Sequence, residues 1–291
     1  MEFLNPSKYA YFPLAEWIEK YAKDWFFSQR PVFKKISIPI ENTLSSLDSL
    51  FNYIPLPIII IFFTFAAYKT NSIKFAIFTA LSLIFIDLVN IWEETMTTMA
   101  MIVTAVLFCC VIGIPLGIAA SRSDIFEMIM RPILDVMQTI PSFVYLIPVV
   151  MLLGIGKIPG LIAVVIYSIP PMIRLTNLGI RLVNQAVIEA ADSYGASNTQ
   201  KLIYIQIPLA LPTIMAGINQ TIMLALSMVV IASMIGVTGL GQPVLTAIQN
   251  QYFTLGIFNG FAIVGIAIVF DRVSQAYGKR IQESHGTIND K

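Results

Sequence analysis

The sequence is poor in charge. Only 12% of its 291 residues are Asp, Glu, Lys or Arg, against 57% hydrophobic residues and a mean hydropathy of +0.78. Soluble domains carry about 25% charged residues, so a water-exposed fold is excluded and a bilayer is implied. The charge present is balanced: 18 Lys and Arg against 17 Asp and Glu leave +1, which offers nucleic acid no basic field. Cysteine is almost missing. Cys109 and Cys110 are neighbours in an apolar run, so no disulfide framework exists and both read as small hydrophobic residues. The single histidine, His285, has no second His or Cys beside it, which removes the usual basis for a metal centre. No Gly-x4-Gly-Lys-Ser/Thr loop occurs; Gly156-Lys157 and Gly278-Lys279 lack both the earlier glycine and the hydroxyl, so ATP chemistry is not expected in this chain. No catalytic residue, metal or cofactor of its own is expected. The first fifty residues also lack the basic start, apolar stretch and small-residue site of a signal peptide, so no cleavage is expected.

What is present is a series of apolar runs near the roughly 20 residues that cross a bilayer. Seven spans are predicted, at 53–68, 73–92, 97–120, 139–155, 158–173, 213–236 and 254–270. Lipid cannot satisfy free backbone N–H and C=O groups, and the alternation of barrel strands is missing, so the fold class is an all-α integral membrane protein. Four stretches follow: a 1–52 amphipathic region, helices over 53–94, a transport domain over 95–275 and a 276–291 tail. Pro141, Pro148, Pro170, Pro171, Pro208 and Pro212 sit at expected helix ends or kinks.

Basic residues set the orientation, because short cytoplasmic loops are enriched in Lys and Arg. Lys69, Lys74, Arg122, Arg131, Arg174, Arg181, Lys201, Arg272, Lys279, Arg280 and Lys291 fall on one side and Lys157 alone in the opposite loops, while the six basic residues of the N-terminal tail are balanced by its six acids. The C-terminus and the 174–212 segment are therefore expected in the cytoplasm and the N-terminal tail outside. Within that tail Leu14, Trp17, Ile18, Tyr21, Trp25 and Phe26 recur at helical spacing opposite Glu16, Glu19, Lys20, Lys23 and Asp24, as an amphipathic helix requires. Such a helix fits a membrane surface or a packing role equally.

The longest expected cytoplasmic stretch reads Glu189-Ala190-Ala191, three residues, Gly195, nine residues, Ile205, one residue, Ile207-Pro208. Gln185 to Tyr194 suits a short helix, Gly195 a left-handed turn, and Ala196 to Ile205 a second helix. A rigid elbow of this kind suits docking to a partner and passing on its motion. With these residues the chain resembles the type I transmembrane subunits of ATP-binding-cassette importers, whose signature is Glu-Ala-Ala-x3-Gly-x9-Ile-x-Leu-Pro; Ile207 stands in place of Leu. The resemblance implies that Glu189, Ala190, Ala191, Gly195, Ile205 and Pro208 couple the chain to a separate ATPase subunit, which uses ATP and Mg. The run from Ile207 to Gly236 is similar to glycine betaine and proline betaine permeases. That implies import of compatible solutes delivered by an extracytoplasmic binding protein, a homodimer in lipid, and a bacterial inner membrane. Choline, trimethylamine N-oxide or amino acids stay open as substrates.

Polar residues within a span are costly and face other helices or a water-filled path. Asn219, Gln220, Thr221 and Ser227 are therefore path candidates, with helix-to-helix hydrogen bonding as the alternative. Asp87 is expected at the outer end of its span rather than in a proton relay, and Gly113 and Gly117 at a close helix contact. An ion-coupled secondary transporter would show more intramembrane charge; a scaffold that recruits a soluble partner would share the elbow without transport.

Overall fold

The computed structural model describes residues 14–70 and 72–284; His285 lies outside them. The described chain is helical. α1 (Leu14–Tyr53), α2 (Leu56–Thr70) and α3 (Ile73–Leu88) precede α4 (Trp92–Arg122) and α5 (Asp124–Thr139). A short 3₁₀ turn at Ser142–Tyr145 then leads into α6 (Leu146–Leu153), α7 (Lys157–Ser168) and α8 (Pro170–Arg181). α9 (Gln185–Ser193) and α10 (Asn198–Lys201) form the elbow, followed by α11 (Ile207–Ala232), α12 (Gly241–Asn250) and α13 (Phe253–Ser284).

Among the described residues four helices are long and apolar enough to cross a membrane: Trp92–Arg122, Lys157–Arg181, Asn198–Ile235 and Phe253–Ala276. They contain the expected spans at 97–120, 158–173 and 254–270 and all but the last residue of 213–236. The others are less regular. α2 and α3 have 15 and 16 residues, about 22 to 24 Å at 1.5 Å per residue, short of a ~30 Å core. The expected 139–155 span is no single helix. Pro141, which cannot donate to an α ladder, sits at a sharp bend, so that α5 and the Ser142–Leu153 stretch meet at 108°. A similar bend of 101° separates α1 from α2.

α4, α7, α8 and α11 form the core. Gly113 and Gly117 let α4 approach α8: a Cβ added at Gly113 would lie 2.7 Å from Met172, and one at Gly117 2.5 Å from Thr176. Cys109 is buried beside them, its Sγ 3.6 Å from both Ser168 Oγ and the Val165 carbonyl. Around these sit Met96, Met101, Ile102, Leu161, Val164, Met228 and Val229, all nearly inaccessible. Asp87 is exposed in the last turn of α3.

Because Lys157–Arg181 runs through as one candidate span, its ends define two ends of the molecule. Lys157 follows the α6–α7 turn, and Arg181 leads to the elbow. The far end is tied together by Gly156 N donating to the Ile235 carbonyl (2.9 Å). α1 lies there too: Asp48 pairs with Lys157 at 3.0 Å, and Arg30 Nε donates to the Met151 carbonyl at 2.9 Å. α1 is longer than the amphipathic stretch expected from sequence, continues through Pro31 and Pro39, and packs by Leu44 and Ser37 while Trp17, Tyr21 and Trp25 are exposed.

Candidate coupling site

The elbow is built by local signals. Asn184 caps α9, its Oδ1 accepting from Ala186 N at 2.9 Å, as a free helix N-terminus favours. The helix ends at Gly195, whose φ is +76°. There Ala196 N donates to the Ala191 carbonyl (3.0 Å) and Gly195 N to the Asp192 carbonyl (2.9 Å), the paired bonds of a left-handed C-terminal cap. Ser197 then starts α10 with a reciprocal box: Gln200 N donates to Ser197 Oγ (3.3 Å) and Ser197 N to Gln200 Oε1 (2.8 Å). The second helix so begins at Asn198, two residues later than Ala196, because Ser197 supplies the cap.

Leu202–Gln206 is a π turn, closed by Ile207 N donating to the Leu202 carbonyl. Pro208 follows in the first turn of α11. It has no N–H for the Tyr204 carbonyl and its ring would crowd that oxygen, so a widened turn suits this position. Ile205 and Pro208 are partly buried, whereas Glu189, Ala190 and Gly195 are exposed. Ala191 is the buried residue of α9, at 8% exposure. Tyr194 projects at 93% exposure, and nothing lies within 4 Å of where a Gly195 Cβ would be. The elbow thus offers a free surface around Glu189, Tyr194 and Gly195, with Ala191 turned inward.

A polar network joins this surface to the bundle. Arg122, the last residue of α4, donates from Nη2 to the Asn198 carbonyl at 2.7 Å. Arg181, the last residue of α8, reaches the Ala120 carbonyl (2.9 Å), Asp124 (2.8 Å), Glu127 (3.1 Å) and Asn177 (3.0 Å). Arg174 pairs with Asp135 and Lys201 with Asp192. In the first turn of α5 the Arg131 hydrogen bond, helped by Arg181, holds the Glu127 carboxyl below the usual carboxylate range. From sequence these cations served only to set orientation; their one local signal is position, since a cation at a helix C-terminus is favoured.

The four path candidates do not converge. Successive helical residues turn by about 100°, so Gln220 and Ser227 share a face of α11 while Asn219 and Thr221 point elsewhere. Gln220 and Ser227 are exposed beside Met223. Asn219 instead bridges to α13, its Nδ2 donating to Asp271 at 3.0 Å and its Oδ1 accepting from Ser274 at 2.5 Å. Thr221 is fully buried, and its hydroxyl has no partner among the described residues.

Comparison with known proteins settles the family. Residues 113–283 match the model of the binding-protein-dependent transport system inner membrane component. The chain belongs to that family. It is 47% identical over 277 residues to the glycine betaine/proline betaine transport system permease protein ProW of Escherichia coli, covering 95% of this chain and 78% of that one. It is 43% identical to the glycine betaine/carnitine transport permease protein GbuB of Listeria monocytogenes, covering 92% of this chain and 96% of the relative. It is 40% identical to the glycine betaine transport system permease protein OpuAB of Bacillus subtilis, covering 90% and 93%. In fold it is similar to a chain of the MetNI methionine ABC transporter in an inward-facing conformation, with TM-score 0.54, 21% identity and coverage of 68% of this chain and 95% of that one. The permease is thus a multi-pass inner-membrane subunit of an ATP-binding-cassette importer. It is a transport protein, and the family implies a separate ATPase subunit and a binding protein.

Proposed function

We propose that this permease imports glycine betaine, proline betaine or a closely related methylated solute, and that residues 185–208 are the joint on which the partner ATPase acts. The observation that carries the joint is the elbow itself: a doubly capped helix-turn-helix with Glu189, Ala190, Tyr194 and Gly195 exposed and open space around Gly195. Glu189, Ala190 and Gly195 form the docking surface, Ala191 anchors α9 from within, and Ile205 and Pro208 carry the motion into α11. ATP and Mg act on the partner. The substrate class rests on the relatives' identities over nearly the whole chain.

The elbow side is the cytoplasmic side in this reading, since Arg122, Arg174, Arg181 and Lys201 cluster there while Lys157 marks the far end. α1 and the N-terminus are then outside and the C-terminus inside. Two copies form the pore, and Gln220 and Ser227, on one exposed face of α11, line the path between them. An extracytoplasmic binding protein delivers solute to the far end.

The test is solute uptake in vesicles holding the permease, its ATPase and its binding protein. Radiolabelled glycine betaine should accumulate only with ATP inside the ATPase-facing compartment. Accumulation driven by an ion gradient without ATP, or preference for choline or trimethylamine N-oxide over betaines, overturns the mechanism or the substrate respectively.

A further inference from the structure

We propose that Arg181 is a positioning residue that carries movement of the elbow into the bundle. This rests on the elbow being the ATPase joint. Arg181 ends α8 and lies three residues before Asn184, the cap of α9. Its Nη2 lies within 3.1 Å of oxygens on two other helices: the Ala120 carbonyl near the end of α4, and the Asp124 and Glu127 carboxylates in the first turn of α5. One guanidinium therefore sits where the electronegative C-terminal end of α4 meets the acidic first turn of α5, a location favoured by the α4 dipole and by the Asp124 and Glu127 carboxylates, which outweigh the positive N-terminal end of α5. Its planar fork suits several oxygens at once, which an ammonium cannot serve in fixed geometry.

α5 has little buried surface of its own, Met130 and Met137 packing partly against the core. Leu134 is its buried residue, while Ile125, Met128, Ile129, Ile133 and Val136 are exposed. Between α5 and α8 lies a cleft of about 400 Å³ rimmed by Arg131, Asp135, Arg174 and Arg181. α5 is thus held to α8 largely through ionic contacts, with Arg181 at the elbow end and Arg174–Asp135 further along. Beyond the 108° bend, α6 reaches the turn where Gly156 meets Ile235. A displacement of the elbow that tilts α8 moves α5 with it, and through α6 reaches the far end.

The experiment measures solute uptake and ATP hydrolysis side by side in the reconstituted complex of permease, ATPase and binding protein. Arg181→Gln should retain the ATPase subunit, because the exposed elbow surface is untouched, and should hydrolyse ATP near the wild-type rate. Uptake per ATP should fall by about tenfold, the size of a typical coupling between sites. Arg181→Lys, which keeps the charge without the fork, should fall between the two. An unchanged ratio in Arg181→Gln, a proportional fall in uptake and hydrolysis, or loss of the ATPase subunit from the complex overturns the assignment. If the Arg181→Gln permease itself does not fold into the membrane, the same ratio in Arg181→Lys decides, and a wild-type ratio there also overturns it. The wild-type complex separates this from the coupling reading: absence of ATP-driven uptake there sinks that reading, whereas normal wild-type uptake with an unaltered Arg181→Gln ratio sinks only the role of Arg181.

Discussion

At the far end of the molecule Gly154 and Gly156 have open space and positive φ, but three other glycines stand where side chains would collide. A Cβ at Gly160 would lie 2.1 Å from Val237, one at Gly241 2.2 Å from Ser233 Oγ, and one at Gly239 2.6 Å from Thr98 Oγ1. That same Thr98 hydroxyl accepts from the buried Leu240 N at 2.9 Å. At the elbow end Gly195 has empty space around it and is needed for its positive φ alone. The far end is an interlocked closure finished within the chain. The elbow end leaves the surface around Glu189, Tyr194 and Gly195 exposed, the surface proposed to dock the ATPase subunit. Glycines of equal apparent importance thus fail in different ways when replaced.

Three substitutions sharpen that contrast. The largest effect is expected from Gly195→Val: a β-branched residue at φ +76° is strained and projects into the docking surface. Uptake should fall by about tenfold or more, in keeping with a lost coupling contact, while membrane abundance and melting temperature stay near wild type. Wild-type uptake at equal abundance would falsify the joint.

Next comes Gly160→Ala. Overpacking against Val237 should cost about 1–3 kcal/mol, read as a lower melting temperature of the purified permease. The ATPase subunit should remain bound to whatever folded protein survives. Unchanged melting would show that the far end yields more readily than its close contacts imply.

The smallest effect is expected from Ser197→Ala, which removes one cap of α10. A lost N-cap costs about 1 kcal/mol, so uptake should drop a few-fold, with faster amide exchange confined to the elbow. Exchange that spreads into α11 would mean the elbow and the bundle are one cooperative unit.

Much of this was legible in the sequence, for identifiable reasons. Long apolar runs mark α4, Lys157–Arg181, α11 and α13 because nothing but a helix satisfies a backbone in lipid. Gly195 after an apolar-periodic stretch marked the turn. The capping pair Ser197 and Gln200 was there to be read and places the second helix two residues late. The 139–155 stretch was misleading because composition reports hydrophobicity and not direction, and Pro141 bends the chain inside it. Asn219 and Asp271, 52 residues apart, and Arg181 and Ala120, 61 apart, are paired by tertiary structure, which no local pattern encodes. Polar residues on α11 could be named from sequence, but which of them faces α13 and which an open surface depends on the neighbours.

The π turn at Leu202–Gln206 gives the elbow two attachments of unequal geometry, a wide turn into α11 and a short link from α8. A wide turn holds one more residue than an α-helix uses over the same rise, so it acts as a flexure with slack built in. Tightening it to α geometry would swing everything before Leu202 by about 100° relative to α11. A path along the chain from α10 to α11 passes through that turn, while the side-chain links of Arg122 and Arg181 bypass it. The covalent route from α10 into α11 therefore runs through a wide turn, whereas α9 joins α8 through the three residues 182–184.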